Sequence, residues 1–180
     1  DVKRQHKRNA PMKSIALTAC FALTFAMSAS ADITATFIEG APKDRFVLSS
    51  DTGVCADTPI RVTVDLEGSA GRLIFDVSEA GAGVEVFQKF ELAAGGELVT
   101  GASRVTDGDT SLTLELNGLP EGADVAFTID VDDTIGAREI TVTDSEIEGA
   151  VMRVTAGNRT SEARFGQTAT ATLALDDCTS

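Results

Sequence analysis

Apolar and polar residues alternate along this chain in short runs that end at turn signals. Val125, Phe127, Ile129 and Val131 recur at every second position, and Ile140 and Val142 resume the period after a polar break. Side chains two apart on a strand share one face, so these six belong in a core, and residues 123–143 read as the two strands of a hairpin. With its turn between Thr134 and Ile135, Ile129 falls opposite Ile140 on the buried side. Asp130 then faces Glu139 on the solvent side, with Asp132 on the same face.

The period of two returns elsewhere. Ile60, Val62, Val64 and Leu66 alternate with Arg61, Thr63 and Asp65, and Leu112, Leu114 and Leu116 alternate with Ser111, Thr113 and Glu115. These are half-buried strands of antiparallel sheets. Further strands are expected at 33–38, 45–48, 72–77, 84–92, 151–155, near Ala163 and at 169–175. Glycine-rich turns such as Gly81-Ala82-Gly83, Gly95-Gly96, Asp107-Gly108-Asp109 and Asn117-Gly118 separate them. No stretch carries the period of an amphipathic helix. About ten short strands predict an all-β, single-domain antiparallel β-sandwich of jelly-roll or immunoglobulin-like type over residues 32–180.

The N-terminal segment has a different pattern. Met12-Lys13-Ser14 precedes an apolar run from Ile15 to Met27 and the small-residue site Ala29-Ser30-Ala31, so residues 12–31 read as a secretory signal peptide and 1–11 as an untranslated upstream extension. Leu17-Thr18-Ala19-Cys20 also fits a lipoprotein box, but the apolar run continues for seven residues past Cys20, where a polar linker is expected. Export places the domain in the periplasm, at the cell surface or in the medium. No later run approaches the roughly 18 apolar residues of a membrane span.

Charge narrows the partners. Residues 32–180 carry ten Lys and Arg against 27 Asp and Glu, a net charge of −17. Nucleic acid is an unsuitable partner, because phosphate binding depends on cationic side chains releasing counterions. A protein or cell-surface partner and metal cations are expected instead.

Catalytic options are few. The single histidine, His6, lies ahead of the signal peptide, and Tyr and Trp are absent. Imidazole-based triads and zinc sites are therefore missing from the mature chain. Asp51-Thr52-Gly53 matches the aspartic-protease tripeptide, but polar Ser49-Ser50 precede it and no second copy occurs. A glycosidase built on paired carboxylates remains the alternative, although sugar clefts usually offer stacking platforms larger than Phe.

Calcium suits the composition better, since it takes six to eight oxygen ligands without nitrogen or sulfur. Asp130, Asp132, Asp133 and Glu139 form the candidate site, with Asp107-Gly108-Asp109 and Asp176-Asp177 as weaker clusters. The spacing lacks the glycine and glutamate of the helix-loop-helix calcium loop. A solvated acidic edge that discourages sheet-to-sheet pairing is the competing reading.

Three stretches, residues 65–76 (from Asp65-Leu66-Glu67-Gly68 to Phe75-Asp76), Gly81 to Gln88, and Phe127 to Asp133 continuing through Ser145-Glu146-Ile147-Glu148-Gly149-Ala150, resemble bacterial exported proteins labelled aggregation factor core proteins, after the marine sponge adhesion factor. The resemblance spans most of residues 60–155. It implies an extracytoplasmic, calcium-associated, adhesive protein without catalytic residues. The expected function is thus a non-enzymatic binding or adhesion domain, with a carboxylate-dependent hydrolase as the alternative.

Two cysteines follow the signal peptide, Cys55 and Cys178. An even number in an exported chain predicts a disulfide, which would stabilise the fold by about 4 to 5 kcal/mol on the chain-entropy model. Mass spectrometry of unreduced peptides should recover Cys55 linked to Cys178; both cysteines recovered as free thiols would overturn the pairing.

Overall fold

The computed structural model describes residues 31–52, 55–79, 83, 86–135 and 141–175. Among these described residues twelve strands follow in chain order: β1 (Ala31–Ile38), β2 (Asp44–Ser50), β3 (Ile60–Asp65), β4 (Ile74–Phe75), β5 (Glu91–Ala94), β6 (Val99–Ala102), β7 (Ser111–Leu116), β8 (Asp124–Ile129), β9 (Val131–Asp132), β10 (Val151–Ala156), β11 (Arg159–Arg164) and β12 (Thr170–Leu175). A 3-10 turn, Gly96–Leu98, joins β5 to β6.

The strands form two five-stranded antiparallel sheets and one small pair. One sheet runs β12-β1-β2-β8-β5, the other β11-β10-β3-β7-β6, and β4 pairs with β9 apart from both. This is the expected β-sandwich. Its sheets share one core, with Phe37, Phe46, Leu48 and Phe127 from the first meeting Val62, Val64, Leu112, Leu114, Met152 and Val154 from the second. β2 shows the underlying rule, burying alternate residues from Asp44 to Ser50.

Aromatic packing centres on the first sheet. The Phe46 ring stacks on Phe127 with centroids 5.0 Å apart and planes 13° from parallel, and Phe37 tilts onto Phe46 at 5.1 Å. The registers Phe37↔Phe46 and Phe46↔Phe127 set three rings in one row across β1, β2 and β8. On the outer face of the second sheet polar side chains pair across strands: Arg61 with Glu115, Arg153 with Glu162, Thr63 with Thr113 and Thr155 with Thr160. The β10–β11 hairpin closes in two residues, Gly157 and Asn158. Gly157 takes φ 57°, a left-handed conformation that glycine adopts without a Cβ clash.

The expected strand boundaries agree with the structure over 33–38, 45–48, 60–65, 111–116, 151–155 and 170–175. Three expectations need correction. The segment 72–77 yields only Ile74–Phe75, and of 86–92, the described part of the expected strand 84–92, only Glu91 and Leu92 are strand, because Gln88 and Asp76 spend backbone groups on a loop junction rather than a ladder. β6 went unanticipated: its residues Val99-Thr100-Gly101-Ala102 are weakly apolar, and its pairing with β7 shifts register at Gly101.

The third correction concerns the hairpin at 123–143. β8 already has neighbours on both sides, β2 through Asp44↔Ile129 and β5 through Glu91↔Thr128, and its continuation β9 pairs with β4. No ladder position is left for a strand opposite Ile129, and residues 141–143 form no strand. Val142 is nonetheless buried at 1% exposure, as expected. Ile140 and Glu139 lie outside the described residues.

Because Phe46 is fully buried between two other rings, Phe46→Ala should destabilise the fold by about 3–5 kcal/mol. Urea denaturation should show this as a lower midpoint at unchanged slope; a loss under about 1 kcal/mol would mean that the row of rings is not the centre of the core.

Candidate metal centre

The end of the first sheet gathers acids rather than apolar residues. β8 stops at Ile129 and β9 begins at Val131, and the residue between them, Asp130, turns its backbone to other partners. Its N–H donates to the Gln88 carbonyl (3.2 Å), and its carbonyl accepts from the Asp76 N–H (3.1 Å). The Gln88 N–H donates in turn to the Asp76 carbonyl (3.3 Å). This three-way junction brings the chain after β4, the approach to β5 and the β8–β9 break to one place.

Asp76, Asp130 and Asp132 meet there. Each offers a carboxylate oxygen within 4.8 Å of the others, and all three residues are buried, at 1%, 4% and 1% exposure. Both carboxylate oxygens of Asp76 and Oδ2 of Asp130 are buried with no hydrogen-bond donor facing them. Such groups are costly to bury, by more than a lost hydrogen bond when they are charged.

Asp44, at the start of β2, stands beside the three. Its Oδ1 accepts from the Gly40 N–H (3.1 Å) and its Oδ2 from the Val131 N–H (3.0 Å), so it braces β9 rather than joining the group. Gly83 packs so closely that a Cβ there would overlap the carboxylates of Asp76 and Asp132.

Burial and mutual repulsion move the proton affinities upward. Burial raises Asp44 to about 7, against the backbone N–H groups of Gly40 and Val131, with repulsion from Asp132 and Glu39 adding to it. Asp76 is raised to about 7 by burial, then by the neighbouring carboxyls of Asp107 and Asp132. Asp130 is raised to about 8 by burial, then by Asp132, Asp44 and Asp76. Two stable outcomes exist for such a cluster: the acids keep their protons, or a cation replaces them.

Two of the four expected site residues, Asp130 and Asp132, fall in this group. Asp133 is buried next to them in the chain, at 6% exposure, and is not one of the three that converge. The expected solvent-facing position of Asp130 and Asp132 is therefore wrong. Both faces of the chain are covered from Ile129 to Asp133, and alternation cannot reveal a second cover. The acidic-edge reading falls with it. Sequence reasoning missed Asp76 and Asp44. Asp107 and Asp109 of the weaker cluster serve a turn: Asp107 Oδ1 accepts from the N–H groups of Val77 and Ser78, and Asp109 Oδ2 accepts from the Thr106 N–H and hydroxyl. Asp51 is exposed in the turn after β2. Asp176, Asp177 and Cys178 lie outside the described residues, and Cys55 is buried.

The donor set consists of hard carboxylate oxygens, which suits calcium or magnesium and not the softer metals that favour nitrogen and sulfur. Three carboxylate oxygens within 4.8 Å of one another lie close enough that small side-chain shifts bring all of them to a single ion at calcium–oxygen distances. Among the described residues no helix is long and apolar enough to cross a membrane. No family model, curated protein or solved structure matches the chain.

The raised acids set a sign for stability against pH. An unfolded carboxyl titrates near 3.8, so between that value and about 7 to 8 the folded chain holds more protons than the unfolded one. The stabilisation is fully present below the unfolded value and is lost as pH rises through the folded ones. Calcium-free protein should therefore melt at a lower temperature at about pH 8.5 than at about pH 5, by about 2–4 °C for each kcal/mol lost. Asp130→Asn should flatten the profile, and a wild-type melting temperature that is level or rising across the window would contradict the assignment.

Proposed function

We propose that the protein is an exported, non-enzymatic β-sandwich that binds calcium through Asp76, Asp130 and Asp132 and presents the domain so braced for binding or adhesion at the cell surface. The observation that carries this reading is the convergence of three buried carboxylates whose oxygens include several without a donor. A divalent cation neutralises most of that charge and supplies the missing electrostatic partner. The acidic surface, the signal peptide and the resemblance to aggregation factor core proteins support the same reading.

Hydrolysis is the weaker reading. A carboxylate acting as nucleophile or general base must touch its substrate, whereas Asp76, Asp130 and Asp132 are between 1% and 4% exposed. The exposed Asp51 belongs to a tripeptide that the sequence contains only once, so the paired acid of such an enzyme has no counterpart motif. The Cys55–Cys178 disulfide belongs to the proposal too. Ile33 pairs with both Ser50 and Leu173, so the chains leaving β2 and β12 depart from the same end of the sheet, one toward Cys55 and the other toward Cys178.

Calcium bound only by the folded state raises stability by RT ln(1 + [Ca²⁺]/Kd), about 1.4 kcal/mol at ten times Kd. Thermal melts at neutral pH should rise by about 3–6 °C in calcium at that ratio, with Kd in the range of about 10⁻⁴ to 10⁻³ M and a smaller effect of magnesium. Asp76→Asn should abolish the shift, and Gly83→Ala should weaken binding by about tenfold by displacing two ligands. Equal melting temperatures in calcium and in sodium of matched ionic strength would end the proposal.

A further inference from the structure

A cleft of about 610 Å³ opens where the chain segments before β5 and after β6 separate. Its volume lies in the range of roughly 300–1,000 Å³ found for small-molecule sites. Val77, Phe90 and Val105 supply apolar surface, Lys89 and Arg104 stand on its walls, and Asp107 is the acid among its lining residues.

Two features distinguish this cleft from a random surface groove. The first is charge. Residues 32–180 carry only ten Lys and Arg, and two of them line this one cleft. Both are exposed, and among the described residues neither is held in an ion pair. Asp107, the acid nearby, has one carboxylate oxygen occupied by the backbone N–H groups of Val77 and Ser78. The cleft is thus a cationic spot on an otherwise strongly acidic molecule, and it will attract anions that the rest of the surface repels.

The second is rigidity. Phe90 packs on Phe127 with ring centroids 5.5 Å apart, which anchors the apolar wall to the core. Lys89 follows Gln88, whose backbone is bonded on both sides to Asp76 and Asp130, and Val77 follows Asp76 directly. The walls continue from this hydrogen-bonded junction, so a ligand meets a preformed surface and loses less free energy to ordering.

We propose that this cleft is a second binding site, one that takes a small organic carboxylate with an apolar portion: the carboxylate sits between Lys89 and Arg104, and the apolar portion lies on Phe90, Val77 and Val105. The site's chemistry requires an anionic head and a hydrophobic body in one molecule, because either half alone meets only half of the lining.

Phenylacetate and its neutral counterpart phenylacetamide test this as a matched pair of almost equal shape. In NMR titrations of the full domain, phenylacetate should shift the Val77 and Val105 methyl resonances and bind about tenfold more tightly than the amide. Lys89→Gln combined with Arg104→Gln should remove that preference while leaving the melting temperature unchanged, since both side chains are exposed. Equal affinity for acid and amide, an acid preference that survives in the double variant, or no shift of these methyls at about 10 mM phenylacetate would each overturn the proposal.

Discussion

Like charges inside a protein are the constraint around which this fold is arranged. The core proper, a row of three phenylalanines backed by the aliphatic residues of two sheets, would close as an ordinary sandwich. At one end of the first sheet, however, Asp44, Asp76, Asp130 and Asp132 are taken out of water together. Several kcal/mol per uncompensated ion would be lost there. The local backbone accordingly abandons regular pairing: β8 breaks at Asp130, the short β4–β9 pair stands apart from both sheets, and the loop junction at Gln88 covers what would otherwise be a solvent face. Irregularity in this sandwich is concentrated where its charge is buried, as expected if the irregular segments exist to hold a site.

The cation reading and the proton reading are two occupancies of one electrostatic well. Acids raised to about 7 and about 8 are neutral in mildly acidic medium and ionised in alkaline medium. A divalent ion and a set of protons therefore compete for the same oxygens, and metal affinity must fall with falling pH. On the proposed reading, the domain would respond to its surroundings through both calcium and acidity, using one cluster of side chains.

Much of the architecture was legible from the period of the apolar residues, because strands such as 60–65 and 111–116 have one wet face and one dry face and the sequence reports the difference directly. Where both faces are covered that signal vanishes. Asp130 and Asp132 occupy the polar phase of an alternating run, which points to solvent, yet both are buried, with Gly83 packed against the carboxylate of Asp132. Asp76 itself is distant in sequence, and the pairing of Ile74 with Asp132 together with the bond from the Asp76 N–H to the Asp130 carbonyl brings it close. A weak trace existed in the acids that directly follow apolar residues, Phe75-Asp76, Ile129-Asp130 and Val131-Asp132, but solvent-facing strand residues look the same. Asp44 left no trace beyond being an acid ahead of a strand. The hairpin partner at Ile140 was inferred from periodicity alone, which cannot count how many neighbours a strand already has.

The pairing of the first strand with the last has a mechanical meaning. Ala31 is matched to Leu175, so β1 enters and β12 leaves the sheet at the same end, side by side and antiparallel. A load applied across those two points would peel the ladder open one hydrogen bond after another instead of shearing them all at once. A domain loaded through those two points would thus yield at low force at this seam.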